Sequence, residues 1–579
     1  MLASHAWGRL PALAGLAAFL AACAPIAPLP AAEPLPQVED QRRPKRLIAT
    51  GWDNPDAARL RENLAEMERR PFDGVVVQLV GRDEAGEAVP LYWAFHERPW
   101  QREWFREEVA RLAECEFRTI TDNFLLLLAN PGHVDWFDDE GWRAIVDHCR
   151  IAAWAARAGG MQGIAFDPEP YAPPAAQFHY AAQPQYAEHS FDGYYAKARQ
   201  RGAEMMAAIV EEYPDITLLC YFMNSVVAAA ADQPDPRRAL EPMGYGLLPA
   251  FIDGWLDAAP PTVTFVDGCE TAYRFNSPEQ FLRAAVDIKG ICQNLVSPEN
   301  RARYRAQVEV GFGIYLDAYW NPPDSPWYID GLGGPRVDRL RANTAAALAA
   351  ADTYVWIYGE QFRWWPTPNP RVGEKTWPAA LPGSEAALRF VRDPVAFARD
   401  TLARRKTEGT LVNLARNGSF DEETATSVDG QPIPWRESNP PAGWSAWQRE
   451  GSDGRFAWDR TRGANQAGSG HAVGVADGCL LQAYHVRPGE RYAVRTQVRL
   501  AGASRAWIRV RWQTADERWT AEEADRIFYP HGTGTWCEAF GVVEIPEGVG
   551  RMLVLLGVGG PGTEDDQAWF DDVGVYRLP

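Results

Sequence analysis

Histidine is scarce: the 579-residue chain holds nine. His96, His133, His148, His179 and His189 show no HxH or HExxH spacing, which disfavours a metal-dependent hydrolase or deacetylase. Cysteine is thin as well, with eight residues and no CxxC or Cys/His metal spacing. Apart from Cys23 there are seven, Cys115, Cys149, Cys220, Cys269, Cys292, Cys479 and Cys537, an odd number that allows at most a few disulfides. Cys479 with Cys537 is the expected pair. Positive charge is in deficit, 58 Lys and Arg against 77 Asp and Glu for a net charge of −19, which argues against nucleic acid as the main partner. What is abundant is apolar and aromatic material. With 46% hydrophobic residues, 24 Trp and 20 Tyr, the chain can build several packed cores and still offer flat rings to amphipathic ligands such as sugars.

The first residues read as an address. One early cation, Arg9, precedes an apolar run over residues 10–22 that is too short to span a membrane, as in a secretory signal. The run ends in Leu20-Ala21-Ala22-Cys23, which resembles a bacterial lipoprotein box. The resemblance implies cleavage before Cys23, lipidation there, and a membrane-anchored location in the cell envelope. An ordinary secretory cleavage site beside a chance cysteine is the other reading. Residues 24–41 are Pro- and Ala-rich without apolar periodicity, as a tether would be. The expected division is a signal over 1–22, a tether over 23–44, a barrel over 45–408 and a β-sandwich over 409–579.

Within the barrel region, short apolar or β-branched runs alternate with longer amphipathic stretches. Strands are expected over 46–51, 74–80, 119–128, 163–167, 216–223, 262–266, 308–316 and 354–358, with helices over 56–70, 102–114, 140–158, 194–212, 278–292 and 336–351. Eight such units predict an α/β fold of the (β/α)₈ TIM-barrel type. A doubly wound open sheet competes, but Thr50-Gly51-Trp52-Asp53-Asn54-Pro55 stands where its Gly-rich phosphate turn would be.

Barrel chemistry gathers where strands end. The fourth strand ends in Asp167-Pro168-Glu169-Pro170-Tyr171, and residues two apart on a strand share a face, so Asp167 and Glu169 both point into the mouth. Neighbouring acids push one pKa up and leave the other carboxylate ionised, the arrangement that cleaves glycosidic bonds. Later strand ends add Asp267 and Glu270, then Asp317, then Glu360. Gly313, Tyr315, Asp317 and Tyr319 are expected on one face of the seventh strand, and Tyr354, Trp356, Tyr358 and Glu360 on one face of the eighth. A sugar would be held by Trp52, Tyr171, Tyr221, Asn224, Asp267, Tyr273, Tyr315, Trp320, Trp356, Tyr358 and Trp364. Arg363 is a cation near this mouth that would favour anionic glycans, against the general leaning of an acidic chain.

On these residues the chain resembles (β/α)₈ glycoside hydrolases. Gly163 to Tyr171 is similar to the fourth-strand signature of the chitinase-like family, in which the final Glu is the acid and the Asp two before it orients an acetamido group. Gln162 and Ala165 replace that family's earlier acids. The wider resemblance is to retaining hydrolases with the acid/base at the end of strand four, which makes Glu169 the acid/base. Glu360, Asp317 and Glu270 are the alternatives for the nucleophile, Glu360 being favoured.

After about residue 409 the texture turns to short alternating strands and Gly- and Pro-containing turns, predicting an all-β sandwich. Asn413 to Phe420 and Trp569 to Tyr576 resemble the two ends of galactose-binding-like jelly rolls, common among carbohydrate-binding modules. The resemblance implies a structural Ca²⁺ near Asp421, Glu422 and Asp572, with no cofactor needed for catalysis. Trp435, Trp444, Trp447, Trp458 and Trp519 are candidate platforms. The function expected is hydrolysis of a poly- or oligosaccharide by a two-carboxylate mechanism, and the alternative is a glycan-binding lipoprotein without catalysis.

Overall fold

The computed structural model describes residues 44–365, 369–421 and 440–579. Cys23, the signal, most of the tether, Glu422 and Trp435 lie outside them. Among the described residues no helix is long and apolar enough to cross a membrane.

Eight parallel strands form a ring. β1 (Arg46–Gly51), β2 (Gly74–Val77), β3 (Phe124–Pro131), β4 (Gly163–Asp167), β5 (Thr217–Cys220), β6 (Thr264–Asp267) and β8 (Tyr354–Gly359) run unbroken. The seventh strand comes as two pieces, Val308–Val310 and Phe312–Tyr315, taken together as β7. Its first piece pairs with β6 and its second with β8, so the ring closes at this seam. A Cβ at Gly311, between the pieces, would stand 2.7 Å from Val266 Cγ1 and 3.1 Å from the Tyr354 carbonyl oxygen. A residue without a side chain lets the strand change partner there. Strands covered on both faces are apolar along their length: β4, Gly-Ile-Ala-Phe-Asp, is buried at every position. All eight expected strands are present, β1 and β4 with the expected bounds.

One main helix follows each strand: α1 (Ala57–Met67), α2 (Arg106–Ala113), α3 (Asp139–Ala158), α4 (Phe191–Glu212), α5 (Leu248–Ala258), α6 (Pro278–Lys289), α7 (Arg336–Ala350) and α8 (Ser384–Arg392). Side-chain caps fix several entries. Asp56, Asp138 and Ser190 accept from first-turn amides of α1, α3 and α4, and Ser277 with Gln280 forms a capping box on α6. α9 (Pro394–Thr407) then leads to the second domain.

That domain is a sandwich of two five-stranded antiparallel sheets. Its core takes Phe420, Trp444, Ile508, Trp512, Leu556 and Phe570 from both layers. Trp444 is therefore core, whereas Trp447 and Trp519 are exposed. A small apolar cluster of Phe390, Ala398, Ala493, Tyr576 and Leu578 joins the sandwich to α8 and α9. Arg399 adds an ion pair to Glu538 at 2.6 Å, and Arg341 of α7 pairs with Glu544. The expected Cys479–Cys537 disulfide is not formed. Cys479 lies on Asp477–His485 of one sheet and Cys537 on Cys537–Glu544 of the other, and both are free.

Candidate active site

β4 delivers Asp167 as its last residue, fully enclosed by the ring, and Pro168 carries the chain on to a half-buried Glu169. The turn is tied down from both sides. Glu169 N–H donates to Asp167 Oδ1 at 2.9 Å, Asn130 Nδ2 at the end of β3 donates to the Glu169 carbonyl at 2.6 Å, and Tyr171 N–H donates to Asn130 Oδ1 at 2.7 Å. The Tyr171 hydroxyl then sits 2.7 Å from both Asp167 Oδ2 and Glu169 Oε2. A phenol has one proton to give. It can therefore donate to Asp167 or to Glu169, one at a time.

Opposite this turn, the ends of β6, β7 and β8 close a cavity of about 260 Å³. Glu169, Glu270 and Glu360 supply its acids, and Trp52, Tyr171, Tyr221, Tyr273, Tyr315, Trp327 and Tyr358 its rings. The rings hold one another in place. Tyr221 stacks on Trp356 at 4.3 Å and shares a hydrogen bond with Thr50, while Tyr273 stacks on Tyr315 at 5.0 Å. Gly313 makes room for this layer, because a Cβ there would lie 2.7 Å from both the Trp356 and Tyr273 rings. A second cavity of about 490 Å³ adjoins the first, sharing Trp52, Tyr171, Tyr221 and Tyr358 and bordering Asp167.

Crowded acids under aromatic cover hold protons. Burial raises Glu270 to about 9, and repulsion from Glu169, Asp167 and Glu360 adds to it. Burial also raises Asp167 to about 7, against hydrogen bonds from Glu169 N–H and Tyr171. Glu360 is raised by burial, then held back by a hydrogen bond from Tyr315 and pushed up by Asp317 and Glu169. At neutral pH Glu270 therefore holds its proton, more firmly than Asp167 does.

The structure brings Asp167, Glu169, Glu270 and Glu360 together, and with them Trp52, Tyr171, Tyr221, Tyr273, Tyr315 and Tyr358. Other candidates stand elsewhere. Asp317 has no exposed surface and accepts from the amides of Glu360 at 2.9 Å and Gln361 at 3.2 Å, so it positions Glu360. The physical reason is that the strand stops at Tyr315 and Leu316–Tyr319 is a 3₁₀ turn, which ends the two-residue alternation. Asp267 is likewise enclosed, taking the amides of Met223, Ser225 and Cys269 and the Ser225 hydroxyl. Asn224 is buried, Trp356 lies beneath Tyr221, and Trp364 packs edge-on to Phe72 at 5.0 Å. Trp320 is partly exposed against Phe362 and lines neither cavity, nor does Arg363. Sequence reasoning missed Asn130, Trp327, Tyr92, Trp93 and Arg371. Of these, Asn130 alone had a usable signal, as a polar residue closing an apolar strand.

Of the donors expected for calcium, Asp421 and Asp572 are described. Asp572 is paired with Arg495 at 2.6 Å, and Asp421 accepts from Ser419 at 2.7 Å and from Gln466. Among the described residues no group of three or more His, Cys, Asp and Glu is arranged to hold a metal ion.

No protein-family model matches the chain, and no curated protein does. Solved structures with short similar stretches include the CBM22-1–GH10 modules of xylanase 10B from Clostridium thermocellum complexed with xylohexaose, at 14% identity over 23% of this chain and 26% of that one, TM-score 0.19. An arabinose-bound GH51 α-L-arabinofuranosidase is similar at 15% identity over 29% of this chain and 27% of that one, TM-score 0.21. A structure described as "CBM4 structure and function" is similar at 18% identity over 28% of this chain and 99% of that one, TM-score 0.20. The chain thus spans about a quarter of the two enzymes. At such scores these likenesses assign no activity, and the reading rests on the site's own geometry.

Proposed function

We propose that the barrel is a glycoside hydrolase acting on a poly- or oligosaccharide, with Glu270 as proton donor and Glu169 as the carboxylate that meets the developing charge at the anomeric carbon. The observation that carries this is the acid cluster itself: a carboxyl protonated to about pH 9 faces other acids in a cavity walled by tyrosine and tryptophan. The Glu270 proton passes to the glycosidic oxygen as the C1–O bond breaks. Water supplies the hydroxyl that ends on C1, and its second proton returns the carboxyl pair to its starting state. This reading moves the acid role expected of Glu169 across the mouth to Glu270, whose proton is held by burial and by repulsion from the neighbouring acids.

The sandwich is taken as a glycan-binding module, supported by the exposed rings of Trp447 and Trp519. Export and lipid anchoring at Cys23 belong to the same proposal and rest on the Leu20-Ala21-Ala22-Cys23 box.

The test is reducing-end release from plant, algal and bacterial polysaccharides by the wild type beside Glu169→Gln and Glu270→Gln. Each variant is expected to fold and to lose at least about 10²-fold in kcat. Undiminished hydrolysis in both would remove the assignment, and polymer binding without product release would favour the non-catalytic glycan binder. Glu270→Gln should also abolish the alkaline fall of kcat/KM near pH 9 in the wild-type profile.

A further inference from the structure

The outer cavity differs from the inner one in charge. The inner cavity is lined by three glutamates and no cation, whereas the outer one is lined by one cation, Arg371, and one acid, Asp167. Among the described residues the partners of the guanidinium are neutral, Gln78 Oε1 at 3.2 Å and the Tyr92 hydroxyl at 3.4 Å, both long. Arg59, on the nearby helix α1, is by contrast tied to Asp53 at 2.7 Å. Arg274, behind the inner cavity, lies 4.2 Å over the ring of Trp327. Among the described residues most of the five donors of Arg371 are thus uncommitted.

Its placement is built. Arg371 N–H donates to Asn369 Oδ1 at 2.9 Å, and Asn369 Nδ2 donates in turn to the Trp52 carbonyl at 3.2 Å, which pins the turn to the end of β1. Trp52, Tyr92 and Trp93 line the same cavity, and Trp52 is 48% exposed where the two cavities meet. A chain of sugars leaving the acid cluster across Trp52 would arrive over Arg371.

We propose that the outer cavity is a subsite for a sugar bearing an oxyanion, a carboxylate or a sulfate, read by Arg371 next to the residue processed at the acid cluster. The guanidinium fork matches either group, and the uncommitted donors lose little on binding it. The glutamates would repel such a group, so Arg371 also sets the direction in which an anionic glycan lies. This rests on the glycan reading of the mouth and adds the class of sugar.

The test uses the full chain as wild type, Arg371→Ala and Arg371→Lys. Retention in native gels and reducing-end release are measured on pectate, alginate and glucuronoxylan, on carrageenan, and on the neutral polymers arabinoxylan and β-glucan. At least one anionic polymer is expected to bind or to be cleaved about tenfold worse by Arg371→Ala, with Arg371→Lys between and neutral polymers indifferent to the change. A response confined to carrageenan would identify sulfate, and one confined to the uronate polymers carboxylate. If no anionic polymer is retained or cleaved, or if Arg371→Ala stays within twofold of wild type on all of them, the proposal is overturned. Arg371-dependent binding without product release would keep the subsite and discard the hydrolase. Hydrolysis of neutral polymers alone would do the reverse.

Discussion

Tyr171 places its phenol oxygen 2.7 Å from a carboxyl oxygen of Asp167 and 2.7 Å from one of Glu169. Its hydrogen bond lowers the pKa of Asp167 against a burial that raises it to about 7. Tyr171→Phe should therefore move Asp167 further up and cost about tenfold in kcat, with little change in melting temperature because the ring is 47% exposed. A pH–rate profile and a thermal melt check this, and an unchanged profile would show that the phenol is a bystander. At this scale the sequence was informative where a strand ends and its alternation still holds. Asp167 and Glu169 follow that rule, as does Glu360 after β8. Asp317 does not, because a 3₁₀ turn intervenes, and no pattern in Ile314-Tyr315-Leu316-Asp317 announces the turn.

Secondary elements show the same division. All eight strands were legible because parallel strands covered on both faces read as apolar runs. α5 was not, since its eleven residues from Leu248 to Ala258 are apolar and buried almost throughout, with Pro249 and Gly254 inside the run, so that they do not read as a surface helix. Nor was the break in β7, which follows from a change of pairing partner rather than from local propensity. Gly311→Val would drive its side chain into Val266 and the Tyr354 carbonyl. The expected cost is about 1–3 kcal/mol, read as a lower denaturant midpoint at unchanged slope. A midpoint equal to that of the wild type would mean that the seam has room to spare.

Over the whole molecule, the acid cluster should set how stability depends on pH. Asp167 and Glu270 have folded pKa values of about 7 and about 9, raised from ordinary values of 3.8 and 4.5. The folded chain therefore binds more protons at these two sites than the unfolded chain does. Their stabilisation is complete below the ordinary values and is lost as pH rises through about 7 for Asp167 and about 9 for Glu270. Melting temperature should fall from pH 5 to pH 9, and Glu270→Gln should flatten the part above pH 7. Differential scanning calorimetry across that range checks it, and a wild-type curve rising with pH would contradict the buried, protonated mouth. The sandwich shares this fate through Arg399, Arg341 and the cluster around Tyr576, which tie it to the barrel helices.

The sequence by itself determined the strand–helix alternation, the change to β-structure near residue 409 and the strand ends at which acids stand, because all three are written in local periodicity. Only the tertiary structure decided which acids face one another, where protons reside among them, and that Arg371 shares a cavity with Trp52 and has no acidic partner among the described residues. Those are matters of distance and burial between residues far apart in the chain, and no spacing along it records them.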